Sequence, residues 1–291
     1  MDLTDLLTFR AVVECGGITR AAARLNRVQS NVTARIKSLE EDLGVQLFAR
    51  QGRGVVLAPA GQVLLGYAER LLDLADEARA AVRGGDLSGL LRLGAMESTA
   101  AVRLPGPLAA FHRRYPGITL DLKTESTQPL IAQVLRGDLD AALVAEPVED
   151  PRLESRAIYD EDLLILRPLG SEVRPGAAVT LLTFRPGCSY RRRLEDWVCR
   201  AGMAADRIVE INSHQVILGC VAAGMGITLA PASLLAGYEG RDRLAAEPLR
   251  PDGRVRTLLI WRKGAPAARI EALAESLTGK EAPPIPAAPA G

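Results

Sequence analysis

The sequence predicts three parts in series: an all-α winged helix-turn-helix over residues 1–58, a long linker helix over 59–88, and an α/β domain of two lobes over 89–281, with a disordered tail at 282–291. Three observations carry this reading. A short helix near residue 30 is apolar on one side and small, polar and basic on the other. The run from Pro59 to Arg83 keeps a heptad pattern of apolar residues. From Gly89 onward, short aliphatic runs alternate with helical ones, which is the arithmetic of βαβ units and a mainly parallel sheet.

The chain has 291 residues, 48% hydrophobic and 24% charged, which is ample apolar mass for globular cores. Aromatics are only 4%, so aliphatic side chains must do the packing. The net charge of +1 conceals an asymmetry: from Gly16 to Val56, seven Arg or Lys stand against three acids. Local charge governs contact with a polyanion. The four cysteines, Cys15, Cys188, Cys199 and Cys220, form no CxxC pair, and the two histidines, His112 and His214, stand alone. No metal site and no cofactor are expected. Met1 to Phe9 carries two acids and no basic segment, unlike a secretory leader, so the cytoplasm is the expected compartment.

In the first part, Leu6, Phe9 and Val13 share a helical face. Cys15-Gly16-Gly17 ends that helix, because glycine takes the left-handed cap conformation. A second short helix covers Thr19–Asn26, with Ala21, Ala22 and Leu25 inward, and a third covers about Gln29–Asp42. On the third, Val32, Ile36, Leu39 and Leu43 form the apolar stripe, and Ser30, Thr33, Ala34 and Lys37 point the other way. Short polar side chains of this kind let a helix approach base edges in a major groove, and Gln29 in the first turn suits an adenine. Two apolar stretches, Gln46–Ala49 and Val55–Leu57, flank a basic tip and read as a two-stranded wing. The competing reading is a three-helix protein-interaction module with solvated arginines.

Pro59 suits the first turn of the linker helix, and Gly84-Gly85 stops it. Leu64, Ala68, Leu71, Ala75, Ala78 and Val82 follow spacings of four and three, a coiled-coil seam for dimerisation. The alternative is a helix packed on its own domain.

In the third part, strands are expected at Leu90–Met96, Ile118–Lys123, Ala141–Ala145, Leu163–Arg167, Val179–Phe184, Ile208–Ile211 and Ile227–Ala230. Lobe I is placed at about 89–162 and 263–281, and lobe II at about 163–262, with a helix near Ala267–Leu277 returning to lobe I. The uncharged run Gln215–Tyr238 is long enough to span a bilayer. Its glycines and proline break it instead into a buried helix, a turn at Gly224-Met225-Gly226 and a buried strand.

The residues Gly17-Ile-Thr-Arg-Ala-Ala-Ala-Arg-Leu25, Val28-Gln-Ser-Asn-Val-Thr-Ala-Arg-Ile-Lys-Ser-Leu-Glu40, then Leu43-Gly44, Leu47-Phe48, Arg50, Arg53-Gly54, Leu57 and Pro59-Ala-Gly61 closely resemble the N-terminal signature of LysR-type transcriptional regulators. The resemblance implies a homodimer or homotetramer that reads a partly palindromic double-stranded DNA operator, responds to a small-molecule effector, and has RNA polymerase as a possible partner. It implies a sensor domain of the type 2 periplasmic-binding-protein-like kind. Carried over by position, Gln29, Ser30 and Thr33 read bases, and Lys37 faces the same groove. Arg20 and Arg35 meet phosphate, and Arg53 enters a minor groove. Arg50 is either a phosphate contact or part of an ion pair. Val28 departs from the serine common in the family, which leaves the helix cap weaker or gives it to Asn26.

Ligands of open α/β sheets bind at the carboxyl ends of strands against helix N-termini. Small polar residues recur there: Ser98-Thr99, Ser126-Thr127, Cys188-Ser189 and Ser213-His214. Plain helix capping uses the same residue types. The resemblance to LysR-type sensor domains favours an effector pocket, for a small anion or polar acid, with His214 either a neutral donor or a first-turn residue. An enzyme is not expected: Gly187-Cys-Ser-Tyr is no GxSxG elbow, and Gly224-Met-Gly-Ile-Thr lacks the third glycine of a dinucleotide fingerprint. The alternatives are a thiol-based redox sensor of the same family and a solute-binding protein. Under the redox reading, Cys188 at a helix N-terminus would have a lowered pKa. Cys188 and Cys199 are, however, eleven residues apart, about 16 Å on an intact helix, beyond disulfide reach.

Overall fold

Asp2 opens the first helix of the computed structural model through a reciprocal capping box: the Asp5 N–H donates to Asp2 Oδ1 at 2.8 Å and the Asp2 N–H to Asp5 Oδ2 at 2.7 Å. The structure describes residues 1–51, 54–82, 87–172, 174–251, 253–265 and 267–279. The expectations for Arg53, for Gly84-Gly85 and for the tail lie outside these, as do those for the side chains of Arg50 and Val82. The chain divides into two compact units, residues 1–90 and 91–291.

In the first unit, α1 (Leu3–Cys15), α2 (Ile18–Arg24) and α3 (Gln29–Leu43) precede the hairpin of β1 (Phe48–Gln51) and β2 (Gly54–Leu57), and α4 (Pro59–Val82) follows. Gly16 and Gly44 end α1 and α3 in the left-handed conformation, at φ 62° and 69°. Leu6, Phe9, Val12, Ala21, Val32, Ile36 and Leu39 make the core. The Glu40 carboxylate accepts from the Leu47 and Phe48 N–H groups at 2.7 and 3.2 Å, fastening the wing to α3. Gly61 lies so close to the wing that a Cβ would sit 2.2 Å from the Leu47 carbonyl oxygen.

The helix α4 corrects the expected seam. Ala68 is fully buried and Leu64 half-buried, both in the core of their own unit together with Leu72. The outward apolar stripe is Val63, Tyr67, Leu71 and Leu74, continued by exposed Ala78, so Leu71 and Ala78 of the expected seam do face outward, while Ala75 is half-buried. A helix with two apolar faces satisfies two heptad registers at once. Packing on α1 decides which face turns inward.

The second unit begins with β3 (Gly89–Ala95), α5 (Glu97–Val102), α6 (Pro105–Arg114), β4 (Ile118–Thr124), α7 (Thr127–Arg136) and β5 (Ala141–Ala145). The 16-residue β6 (Leu153–Pro168) leads to β7 (Ala178–Thr183), α8 (Ser189–Arg200), β8 (Ala204–Glu210), α9 (His214–Ala222), β9 (Thr228–Pro231) and α10 (Ala232–Ala236). A 3-10 turn (Arg241–Arg243), β10 (Leu244–Pro248), β11 (Arg254–Arg262) and α11 (Ala268–Thr278) complete it.

The strand order is β10-β6-β11-β5-β3-β4, with β9 also on β6, and β7 and β8 form a separate parallel pair. The expectation of a mainly parallel sheet needs correction. The β3–β5 pair is parallel, but β11 runs antiparallel to β5 and β6, and β6 antiparallel to β9 and β10. The cause is β6. Its residues Leu153–Asp162 pair with β11, and Leu163–Pro168 pair with β9 and β10, so one strand crosses from lobe to lobe. The return to the first lobe therefore comes with β11, ahead of α11, which packs on α6.

The apolar run 215–238 resolves into α9, which buries Ile217, Leu218 and Val221 but leaves Val216 exposed, a turn, the fully buried β9 and the short α10. Gly226 has no room for a side chain, since a Cβ would lie 2.2 Å from the Thr180 carbonyl oxygen. Among the described residues, no helix is long and apolar enough to cross a membrane.

Candidate nucleic-acid interface and ligand cleft

Gln29, Ser30, Thr33 and Lys37 are all exposed on the side of α3 opposite its buried Val32, Ile36 and Leu39. The Thr33 hydroxyl donates to the Gln29 carbonyl at 2.9 Å, so it meets a partner with its methyl and its lone pairs. Lys37 is 3.6 Å from Glu41 with both side chains exposed, a contact weak enough to yield to another anion. Val28 precedes α3 without a side-chain cap, and Asn26, at φ 51°, does not supply one. The first N–H groups of α3 thus remain available to an acceptor.

Two arginines are more engaged than their positions alone suggested. Arg35 is half-buried and pairs with Asp5 at 2.7 Å and Asp2 at 3.5 Å, which ties α3 to the capping box of α1. Arg20 donates to the Gly16 carbonyl at 2.8 Å across the end of α1. Exposed Arg27, just before α3, was not singled out from the sequence. Its place in the turn, off any periodic stripe, hid it.

In the second unit, six of the eight predicted pocket residues line one cavity: Ser98, Ser126, Thr127, Cys188, Ser189 and His214. Thr99 and Ser213 are not among its lining residues. The six lining residues are brought together because α5, α7, α8 and α9 each start shortly after a strand. Ser126, Cys188 and Ser213 precede their helices without a side-chain capping bond, so the capping alternative is not realised at these three. Thr127 is held by the scaffold: its hydroxyl donates to the Met96 sulfur at 3.5 Å and accepts from the Ala145 N–H at 3.4 Å.

The sequence reading missed Glu97, Glu125, Phe184 and Tyr190 in this cavity. Glu97 is the most consequential. Its carboxylate accepts from the His214 backbone N–H at 3.4 Å and meets the His214 ring at Nδ1. His214 is buried, with its ring 4.5 Å from that of Phe184. A chemically minded scan for acids beside the predicted hydroxyls would have found Glu97 and Glu125. Phe184 and Tyr190 read as ordinary core residues.

Burial pushes the Cys188 thiol up, against the lowered value expected at a helix N-terminus, because desolvation of a thiolate outweighs the nearby N–H groups. Full burial likewise raises the Tyr190 hydroxyl, which Ser98 partners. Both groups are neutral at physiological pH. Away from the cavity, buried Glu161 on β6 accepts from Arg103, just past α5, at 2.7 Å, and from Ser233 of α10 at 2.8 Å. This carboxylate joins the two lobes one residue from the point where β6 changes partners.

Residues 3–62 match the bacterial regulatory helix-turn-helix proteins of the lysR family, and residues 84–281 match the LysR substrate binding domain. The chain belongs to the LysR family, and is a DNA-binding transcription regulator with an effector-type C-terminal domain. It is 38% identical over 269 residues to the HTH-type transcriptional regulator GltR of Bacillus subtilis, covering 90% of this chain and 91% of that one. With YofA of Bacillus velezensis it shares 40% over 250 residues, 84% and 85% of the two chains. Among solved structures it resembles full-length OxyR from Pseudomonas aeruginosa, at a TM-score of 0.70, 26% identity and coverage of 96% and 98%. It also resembles full-length CbnR complexed with its target DNA, at 0.63, 27% identity, 95% and 99%.

Proposed function

We propose that the chain acts in the cytoplasm as a homo-oligomer on a dyad-symmetric operator, with α3 in the major groove. Gln29, Ser30 and Thr33 read base edges, and Lys37 lies along the same groove. Phosphates meet the uncapped N-terminus of α3, Arg20 through its remaining N–H groups, and Arg27, and Arg53 enters a minor groove. Arg35, engaged by Asp5, sets the pose of α3, and Arg50 is left to either role. The exposed stripe Val63, Tyr67, Leu71 and Leu74 of α4 supplies a subunit contact. A small molecule between the lobes shifts the population of lobe arrangements and so the reading of the operator, and through it the response of RNA polymerase.

The observation that carries the reading is the exposed polar face of α3, in a segment that matches the family over residues 3–62. The test is selection of genomic fragments by the purified chain, with Gln29→Ala/Thr33→Ala as control. A dyad-symmetric site lost in the variant supports it; no enrichment at low salt sinks it. The likeness to OxyR raises thiol sensing as a second reading. The raised Cys188 thiol and the unbroken α8 between Cys188 and Cys199 favour the ligand reading.

A further inference from the structure

The cleft is tied shut by its own residues. Glu97 of the first lobe accepts from His214 of the second, Ser98 meets Tyr190, and the Gln128 N–H donates to the Gly187 carbonyl at 3.3 Å. The space left inside is about 20 Å³, room for about one water. A ligand of any size enters only if the Glu97–His214 contact gives way.

The walls carry a definite charge. Two carboxylates line the cavity, half-buried Glu97 and exposed Glu125, the latter accepting from the Ser126 N–H at 3.1 Å; no Lys or Arg is among its lining residues, while Arg191 and Arg192 line an adjoining cavity that shares Cys188. The nearby Arg191 of α8 is engaged by Glu195 and Glu210 at 2.8 and 2.7 Å. Ser189 also lines the cavity; it is only 8% exposed, and its hydroxyl has no partner among the described residues. The Ser189 oxygen keeps some accessible surface, and a hydroxyl without a protein partner at such a place is a seat for a ligand atom or a water.

An anion arriving here meets the half-buried Glu97 carboxylate, with exposed Glu125 at the rim. It also finds the N-terminus of α9 already occupied by a tethered carboxylate, whose effective concentration is high. A cation meets the reverse. We infer that the ligand of this cleft carries a protonated amine or guanidine group, which takes the Glu97 carboxylate from His214 and so unties the lobes. The ligand's N–H donors replace those of His214, whose ring and backbone N–H turn to water in the opened cleft. The Ser189 hydroxyl holds a second polar atom of the ligand. This inference rests on the ligand-sensing reading above and replaces the small acid expected from the sequence.

The test uses the full chain and two probe sets of matched length and ionic strength: 1,4-diaminobutane, 1,5-diaminopentane and 4-guanidinobutylamine against succinate and glutarate. Thermal unfolding and calorimetry read binding. At least one cationic probe raises the unfolding midpoint, the dicarboxylates do not, and Glu97→Gln weakens the cation at least tenfold while keeping an acceptor for His214. A dicarboxylate that binds where the amines do not overturns the cationic class and leaves ligand sensing standing. Equal binding of a cation to Glu97→Gln also overturns it. Binding by neither set overturns the inference and counts against ligand sensing itself. The probe comparison on the unaltered chain stands even if the variant fails to fold.

Discussion

Replacing Arg103 by alanine leaves the Glu161 carboxylate, 6% exposed, inside the fold without its cation. Removing one partner of a buried pair costs about 3–5 kcal/mol. Arg103 is itself 35% exposed, so water reaches the vacated side, and Ser233 still donates to the carboxylate at 2.8 Å. The low end, about 3 kcal/mol, is therefore expected. In a domain of this size that lowers the unfolding midpoint by roughly 6–12 °C. Both tryptophans, Trp197 and Trp261, lie in the second unit, so tryptophan fluorescence during urea unfolding reports this unit selectively. Glu161→Gln in the same background removes the stranded charge and keeps an acceptor for Ser233, and the double variant should regain most of the loss. A loss below about 1 kcal/mol for Arg103→Ala, or no recovery in the double variant, refutes the reasoning.

Gly61→Ala should destabilise the first unit by about 1–3 kcal/mol, since the new methyl collides with the Leu47 carbonyl; a circular-dichroism melt of the variant checks it. Val28→Ser supplies the missing cap of α3 and should stabilise the same unit by about 1 kcal/mol, with an unchanged melt counting against the cap argument. Mass mapping after brief alkylation near neutral pH should find exposed Cys199 modified well before Cys188. Because burial raises the Cys188 thiol, its thiolate forms only as the pH climbs above the ordinary thiol range, and the rate at Cys188 should rise there; equal rates at neutral pH would show that burial does not control it.

Much of the first unit was legible because helix periodicity is local. The stripe Val32, Ile36 and Leu39 is buried, as its spacing requires, and the opposite face is exposed. The family match over residues 3–62 spans the same segment. Most of the expected strands of the second unit also lie close to their places, including Ala141–Ala145, whose five residues are all buried. The polar start of β6, Leu153–Asp162, was not visible as a strand because its burial pattern alternates poorly and its acids and arginines imitate a loop. That omission made the sheet look parallel.

What local pattern determines is which residues form a helix or strand and which face is apolar. The choice between two apolar faces of α4 was made by α1, which draws Ala68 and Leu72 inward and leaves Tyr67 and Leu74 out. The pairing of Arg35 with Asp5, thirty residues apart in sequence, and of Glu97 with His214, 117 apart, belongs to the folded chain alone. Charge–charge and hydrogen-bond partners are set by which elements the core brings within about 3 Å, and no short window of sequence contains that information. The cleft's hydroxyls could be foreseen from strand ends, and Glu97 stands beside one of them; that its carboxylate closes the cleft on His214 was decided only once both lobes were in place.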